Sequence, residues 1–245
     1  MKKKRFKSEG RCNLCGENFD GGKISGHLEE CRGKLFVKDN RAPANIMQIS
    51  VCGKHNPEFW LQLAAWDGAT LSDIDNFLRH AWLECCGHLS SFTIDGVRYE
   101  SHPDYDDVGS EDGEDGEEEE EEDFFSFGEK TLSMSVKLNK VLRPGTVLRH
   151  EYDFGTTTEL DLEVLDVFQA SKPEDTVILL AHNLMPKIKC STCEKAATLI
   201  CSVCSYDFLC FCKKCARKHE CGEEMMLPLV NSPRTGMCGY EGPGL

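Results

Sequence analysis

The chain has 245 residues, of which 40% are apolar, and a formal net charge of −14. This length is typical of one or two domains. No apolar run approaches the ~18 residues that a transmembrane helix needs, so we expect no membrane association. The acidity is local: residues 104–123 hold 14 acidic residues and no basic one, and the rest of the chain is balanced. Like charges at this density predict a disordered insertion within a domain.

The N-terminal region, residues 1–34, begins with the basic tail MKKKRFK, which is either a solvated terminus or an arm that contacts phosphates. A pattern of metal-ligand type follows, formed by Cys12, Cys15, His27 and Cys31. Residues 24–31 are predicted to be a short helix, which places the last two ligands on one face. The spacing therefore predicts a zinc finger, whose few apolar residues need the metal in order to fold. Its ending resembles the Cys-Cys-His-Cys fingers of DNA-repair proteins, some of which bind ubiquitin.

The central region alternates between strand-like and helix-like patterns. Apolar runs at residues 46–51 and 59–65 predict strands, and Thr70 is a predicted N-cap for a helix with one apolar stripe. Asp95-Gly96 predicts a tight hairpin. Beyond the acidic insertion, residues 132–138, 147–154, 159–165 and 177–181 again read as strands. This pattern predicts an α+β domain with a mostly antiparallel sheet packed against one amphipathic helix.

Two linked motifs in this region resemble the plasmid-borne pRiA-type open-reading-frame-three-like family. They are His88-Leu89-Ser90-Ser91-Phe92 followed by Tyr99, and, after the acidic run, Tyr152-Asp153-Phe154-Gly155. The resemblance covers residues 45–185 and implies an α+β fold. It implies no established reaction, and its link to mobile elements suggests nucleic-acid involvement by association only.

Nine of the fifteen cysteines lie between residues 190 and 238, in three C-x2-C pairs and three further positions, together with His219. Such pairs grip a metal ion from a tight turn, and eight ligands suffice for two closed zinc sites. Disulfides are the alternative. No apolar signal segment follows the basic N-terminus, which favours metal binding in a reducing, cytoplasmic compartment.

The order of these pairs in the cysteine-rich region 186–245 resembles the cross-brace zinc modules of the B-box and MYND kind. The resemblance implies one site with the ligands Cys190, Cys193, Cys212 and Cys215. It implies a second site with Cys201, Cys204, His219 and either Cys221 or Cys238. Cys210 is then a spare thiol or a small buried apolar residue.

Catalytic patterns are weak in this sequence. His80, Cys85, Cys86 and His88 lie together in the chain, but a helix terminus with a buried cysteine and a hydrogen-bonded histidine explains them better than a Cys–His nucleophile pair. Asp153 is predicted to be a turn residue that bonds its own backbone before Gly155. No phosphate-binding, dinucleotide-binding or metalloprotease motif is present. We therefore predict that the protein is not an enzyme and has no small-molecule substrate.

The sequence thus predicts an adaptor with about three structural Zn²⁺ ions that binds a protein partner through the region 186–245. The alternative is nucleic-acid binding through the basic tail and the finger. Residues 1–34 contain nine basic and five acidic residues, and the excess of positive charge lies mostly in the tail. The finger helix carries Glu29 and Glu30, which repel phosphate, and this favours the protein partner.

Overall fold

The computed structural model describes residues 8–34, 43–101 and 131–242. The basic tail at residues 1–7 and the acidic insertion at residues 104–123 lie outside the described residues. Among the helices of the described ranges, none is long and apolar enough to cross a membrane.

The N-terminal finger consists of an antiparallel hairpin and a helix. Strands β1 (Glu9–Cys12) and β2 (Asn18–Asp20) pair with each other, and helix α1 (Ile24–Cys31) follows. The predicted helix at residues 24–31 is confirmed. Ile24, Leu28 and Cys31 are buried, because residues three and four apart share one face of a helix.

The central region adds eight strands within the described residues. They are β3 (Pro43–Gly53), β4 (Trp60–Trp66), β5 (Ser90–Ile94), β6 (Val97–Glu100), β7 (Thr131–Ser133), β8 (Val147–Tyr152), β9 (Thr158–Ser171) and β10 (Val177–Asn183). With the finger hairpin they form one sheet in the order β2-β1-β10-β4-β3-β9-β8-β5-β6-β7. Every neighbouring pair is antiparallel except β6 and β7, which run parallel. The predicted α+β class with a mostly antiparallel sheet is confirmed.

Strand β3 lies in the middle of the sheet, where it pairs with β4 on one side and with β9 on the other. Residues 46–53 are buried without alternation. Successive side chains of a strand point to opposite faces, so continuous burial means that both faces of the sheet are covered here.

Helix α2 (Leu71–Leu78) covers one face. Its N-cap is Thr70, as predicted: the Thr70 hydroxyl accepts a hydrogen bond from the Asp73 N–H, and the Asp73 carboxylate accepts one from the Thr70 N–H. Leu71, Ile74 and Leu78 are buried against the sheet. The helix continues as one wider π-helical turn over residues 79–83, which buries Trp82.

The prediction of a strand throughout residues 132–138 is wrong. Strand β7 ends at Ser133, and a one-turn helix α3 (Leu138–Val141) begins at Leu138. The chain between them bends towards the start of α2, where the carbonyl groups of Met134 and Val136 accept hydrogen bonds from the N–H groups of Ser72 and Leu71. These bonds satisfy two of the unpaired donors of the first helical turn, which explains the break in the strand.

The finger packs on the opposite face of the sheet. Ile24 and Leu28 of α1 share a buried cluster with Trp60 and Leu180. At Gly10 of β1, a Cβ atom would lie 2.2 Å from the Trp60 ring, so only glycine allows this close approach. The finger is therefore an extension of the central sheet, and apolar packing stabilises it together with its metal ligands.

The C-terminal module, residues 186–230, is a small separate sheet. Its strands are β11 (Leu199–Cys201), β12 (Cys210–Phe211) and β13 (Met226–Pro228), in the order β12-β11-β13, with a one-turn helix α4 (Lys213–Ala216). Its buried apolar residues are Cys190, Ile200, Cys201, Cys210, Phe211 and Ala216. Three of these six are cysteines, so little hydrocarbon is buried and stability must come from elsewhere.

The cap of α2 gives a first prediction. Thr70→Ala should lower the free energy of unfolding by about 1 kcal/mol, because the Asp73 N–H loses its acceptor at a helix end. Thr70→Ser keeps the hydroxyl and should recover most of the loss. Urea denaturation measures both variants, and equal stability of Thr70→Ala and the unchanged protein would contradict the role of the cap.

A second prediction concerns residues 104–123. Replacing them with a short Gly/Ser linker should change the free energy of unfolding by less than about 1 kcal/mol, because loop-closure entropy grows only logarithmically with length. Strands β6 and β7, which precede and follow the acidic insertion in the chain, are direct neighbours, so a short connection suffices. A loss of several kcal/mol in thermal unfolding would show that the acidic residues pack against the domain.

Candidate metal centres

The described residues contain four groups of Cys and His side chains that can hold a metal ion, and within each group all the ligand atoms lie within 4.8 Å of one another. They include thirteen of the fifteen cysteines; the other two, Cys52 and Cys210, are buried. The N-terminal cluster is Cys12, Cys15, His27 and Cys31; the first C-terminal cluster is Cys190, Cys193, Cys212 and Cys215; the second C-terminal cluster is Cys201, Cys204, His219 and Cys221; the bridging cluster is Cys85, Cys86, His88 and Cys238.

The N-terminal cluster joins the finger hairpin to α1. The Sγ atoms of Cys12 and Cys31 are 3.9 Å apart, and Cys15 Sγ is 3.4 Å from His27 Nε2. The Phe19 ring stacks on the His27 imidazole, with 3.9 Å between ring centroids. This contact orients the histidine towards the three sulfur atoms, so the structure brings the four predicted finger ligands together.

The first C-terminal cluster joins the start of the module to α4. The C-x2-C pair at residues 190–193 meets the pair at residues 212–215, with 3.7 Å between the Sγ atoms of Cys193 and Cys212. Cys212 precedes α4, and its carbonyl accepts hydrogen bonds from the N–H groups of Cys215 and Ala216. The tight turn therefore points both sulfur atoms of the second pair the same way.

The second C-terminal cluster belongs to the same module. Cys204 Sγ is 3.6 Å from His219 Nε2 and 3.7 Å from Cys221 Sγ. The sequence left Cys221 and Cys238 as alternatives for the fourth ligand of this site. In the structure, Cys221 lies with the other three ligands. Cys210 lies outside every cluster and is buried, with its thiol donating to the Phe208 carbonyl.

These distances fit tetrahedral coordination. Metal–sulfur bonds of about 2.3 Å place neighbouring sulfur atoms of a tetrahedral zinc site about 3.8 Å apart, and a sulfur and a nitrogen atom about 3.6 Å apart. The observed S···S separations of 3.7–3.9 Å in the three clusters follow this geometry. Disulfide-bonded sulfur atoms lie much closer, at about 2 Å.

Crowding of the thiols shifts their pKa values in both directions. The backbone hydrogen bond from Cys215 lowers the pKa of Cys212; burial alone would raise the pKa of Cys201, but backbone hydrogen bonds outweigh burial and lower it. Hydrogen bonding to Cys221 raises the pKa of Cys204 to about 12, and hydrogen bonding to Cys193 raises the pKa of Cys215 to about 12. Burial, together with the neighbouring thiols, raises the pKa of Cys31 to about 11. A bound divalent ion reverses this effect, because it supplies the positive charge that keeps the thiolates deprotonated.

The bridging cluster is the site that the sequence interpretation missed. The π-helical turn after α2 leads to Cys85, Cys86 and His88, and Cys238 arrives from 150 residues further along the chain. Cys86 is exposed and Cys85 is half-buried, so this is not the helix terminus with a buried cysteine that the sequence favoured. One signal could have found it: once Cys221 completes the second C-terminal cluster, Cys238 is a surplus thiol, as are Cys85 and Cys86.

Beside this cluster, Asp153 is the turn residue that the sequence predicted. It has a left-handed φ of 65°, and its carboxylate accepts hydrogen bonds from the Gly155 and Thr156 N–H groups. The fully buried Arg234 also donates to it, at 2.7 Å. Burial alone would raise the pKa of Asp153, but the hydrogen bonds from Thr156 and Arg234 outweigh it and hold that pKa well below its usual range.

Residues 45–195, more than half of the chain, match the family model described as Plasmid pRiA4b ORF-3-like protein. The chain belongs to the pRiA4b ORF-3-like family. The matched range includes three of the four bridging ligands but ends before Cys201, so most C-terminal ligands lie outside it.

None of the curated proteins compared with this chain matches it. Among solved structures, the chain is similar to the crystal structure of MM3350, a protein of unknown function from Methanosarcina mazei Go1. The identity is 13% and the TM-score is 0.42, over 57% of this chain and 69% of that chain.

A third prediction follows from the second C-terminal cluster. Cys204→Ser should reduce the metal content by at least one ion per chain and should make residues 186–230 sensitive to protease, because metal coordination replaces an apolar core there. The measurements are elemental analysis and limited proteolysis of protein purified without added metal. Cys210→Ser, which changes a buried thiol outside every cluster, should keep the metal content. Equal metal content in all three proteins would contradict the ligand assignment.

Proposed function

We propose that this protein is a non-enzymatic, zinc-binding adaptor that captures a protein partner through its C-terminal module. Zinc is the metal that suits the donor sets, since one cluster offers four thiolates and the others three thiolates and one imidazole. Four protein ligands leave a tetrahedral ion no position for water, which supports structural sites that carry a binding surface.

The exposed side chains beside Cys204 support a partner site on the module. Val203 is 62% exposed and Tyr206 is 69% exposed, on either side of this metal ligand. Aromatic side chains are enriched where proteins bind each other, because they bury a large area at little conformational cost. The position of both side chains depends on the ion that Cys204 holds.

Tyr206 also borders a cleft between the module and the central domain, with a volume of about 590 Å³. Phe208 contributes apolar surface to it, and across the cleft lies Glu159, whose carboxylate is 2.7 Å from His55 Nε2. An apolar wall facing polar groups suits an extended peptide, whose side chains need apolar contacts and whose backbone needs hydrogen-bond partners. We therefore assign the cleft to a peptide segment of the partner, with Tyr206 as the anchor.

A second candidate function, nucleic-acid binding, is favoured by one feature of the module. Exposed basic side chains surround α4 at Lys213, Lys214, Arg217 and Lys218, and a cluster of this kind attracts phosphates. The finger gives less support. Its exposed charged residues are mostly acidic, namely Glu9, Glu17, Asp20, Glu29 and Glu30 against Arg11 and Lys23.

The fourth prediction separates these functions with two double variants that keep every metal ligand. Val203→Ser with Tyr206→Ala removes the apolar surface, and Lys213→Ser with Lys214→Ser removes basic charge from the same module. Affinity capture from extracts of the cells of origin is carried out with the unchanged full-length protein, with each double variant and with Cys204→Ser. Each captured protein is then purified, and its binding to all the variants is measured directly.

The proposal expects a partner that binds the unchanged protein and the Lys213/Lys214 variant equally. Loss of Tyr206 and Val203 should weaken that binding at least tenfold, as should Cys204→Ser, which disturbs the surface through its metal. If the apolar variant binds every captured protein as tightly as the unchanged chain, the adaptor proposal fails. If nucleic acid is captured and only the Lys213/Lys214 variant loses it, the second candidate is correct.

A further inference from the structure

The sulfur atoms of the bridging cluster have nearly the same spacing as those of the other three clusters. Cys85 and Cys86 Sγ atoms are 3.6 Å apart, and Cys86 and Cys238 Sγ atoms are 3.8 Å apart. His88 Nε2 lies 3.3 Å from Cys238 Sγ and 2.9 Å from Cys86 Sγ. The two S···S distances agree with the separation of about 3.8 Å expected around a tetrahedral, thiolate-bound metal.

We propose that Cys85, Cys86, His88 and Cys238 bind a fourth divalent, thiophilic metal ion of the zinc class. This ion closes a latch between the central domain and the C-terminal segment, residues 231–242. Unlike the other clusters, it contains no C-x2-C pair, and it joins two parts of the chain 150 residues apart. The inference does not depend on the adaptor proposal.

A buried cation beside the cluster supports a thiolate there. Arg234 is fully buried, and its Nη2 atom lies 3.4 Å from Cys85 Sγ while also donating to the Asp153 carboxylate. Its Nη1 atom donates to the Thr156 carbonyl and the Thr158 hydroxyl. A divalent ion with three thiolates and one imidazole carries a net negative charge, and a guanidinium N–H directed at one sulfur offsets it. N–H groups that donate to coordinated ligands are typical of the surroundings of metal sites.

The C-terminal segment reaches the cluster along a fixed path. The Ser232 hydroxyl donates to the Trp82 carbonyl at 2.7 Å. The Asn183 side-chain amide donates to the Asn231 side-chain oxygen, and the Asn231 amide donates to the Asn183 backbone carbonyl. Tyr240 is buried just beyond Cys238. These contacts hold Cys238 within reach of the other three ligands, so little chain entropy remains to be lost when the metal binds.

The latch links the C-terminal module to the central domain through the C-terminal segment. The C-terminal module continues directly into the segment, and Gly236 packs so closely on Ile200 of β11 that a Cβ atom would lie 2.8 Å from the isoleucine side chain. The segment therefore contacts the module on one side and the central domain on the other. A metal at Cys238 fixes the segment at its far end and, through it, the orientation of the module.

The fifth prediction uses two exposed ligands, Cys86 and Cys238, whose replacement removes no core packing. Native mass spectrometry counts the metal ions bound to the full-length protein, purified under reducing conditions and dialysed against Zn²⁺ followed by metal-free buffer. The unchanged protein should hold four ions, and Cys86→Ser and Cys238→Ser should each hold three. Cys52→Ala, a matched loss of a thiol outside every cluster, should hold four.

A second measurement reports on the latch. Limited proteolysis within residues 229–242 should be at least tenfold faster in Cys238→Ser than in the unchanged protein, while cleavage within residues 190–221 stays the same. Equal ion counts in the unchanged protein and both serine variants would overturn the site, as would a mass showing a Cys86–Cys238 disulfide instead of a fourth ion.

Discussion

The physical constraint behind this structure is that its small parts cannot bury enough apolar surface to fold by themselves. The C-terminal module has six buried apolar residues, of which three are cysteines, among them the ligands Cys190 and Cys201. Metal coordination is the interaction that can replace an apolar core, since a structural zinc ion contributes roughly 10–16 kcal/mol of apparent binding free energy. We expect the exposed Tyr206 and the basic helix α4 of the module to depend on that coordination.

The finger and the module use their ligands differently. The finger is continuous with the central sheet through β1 and β10, and Ile24 and Leu28 pack against Trp60. Loss of its metal would leave this packing in place. The module has no strand in the large sheet, so its order rests on its two clusters, on the packing of Ile188 and Phe208 against the central core, and on the C-terminal segment.

Local sequence patterns predicted much of this fold. The cap at Thr70, the short helix at residues 24–31 and the α+β class follow from spacing that acts within a few residues, and so do the four finger ligands. The pairing of the finger with β10 could not be read from the sequence, because nothing near Gly10 indicates that Trp60 lies above it. The bridging cluster was missed for the same reason: Cys238 has no nearby partner, and only the folded chain brings it to Cys85, Cys86 and His88.

The account depends most directly on thiolate coordination of the metal, and zinc-edge X-ray absorption of the purified protein measures it. The four clusters together predict a first shell dominated by sulfur at about 2.3 Å, with a minor nitrogen contribution at about 2.0–2.1 Å from the imidazoles. A first shell of oxygen and nitrogen alone would mean that the ion binds elsewhere, and would contradict the claim that these cysteines form metal centres.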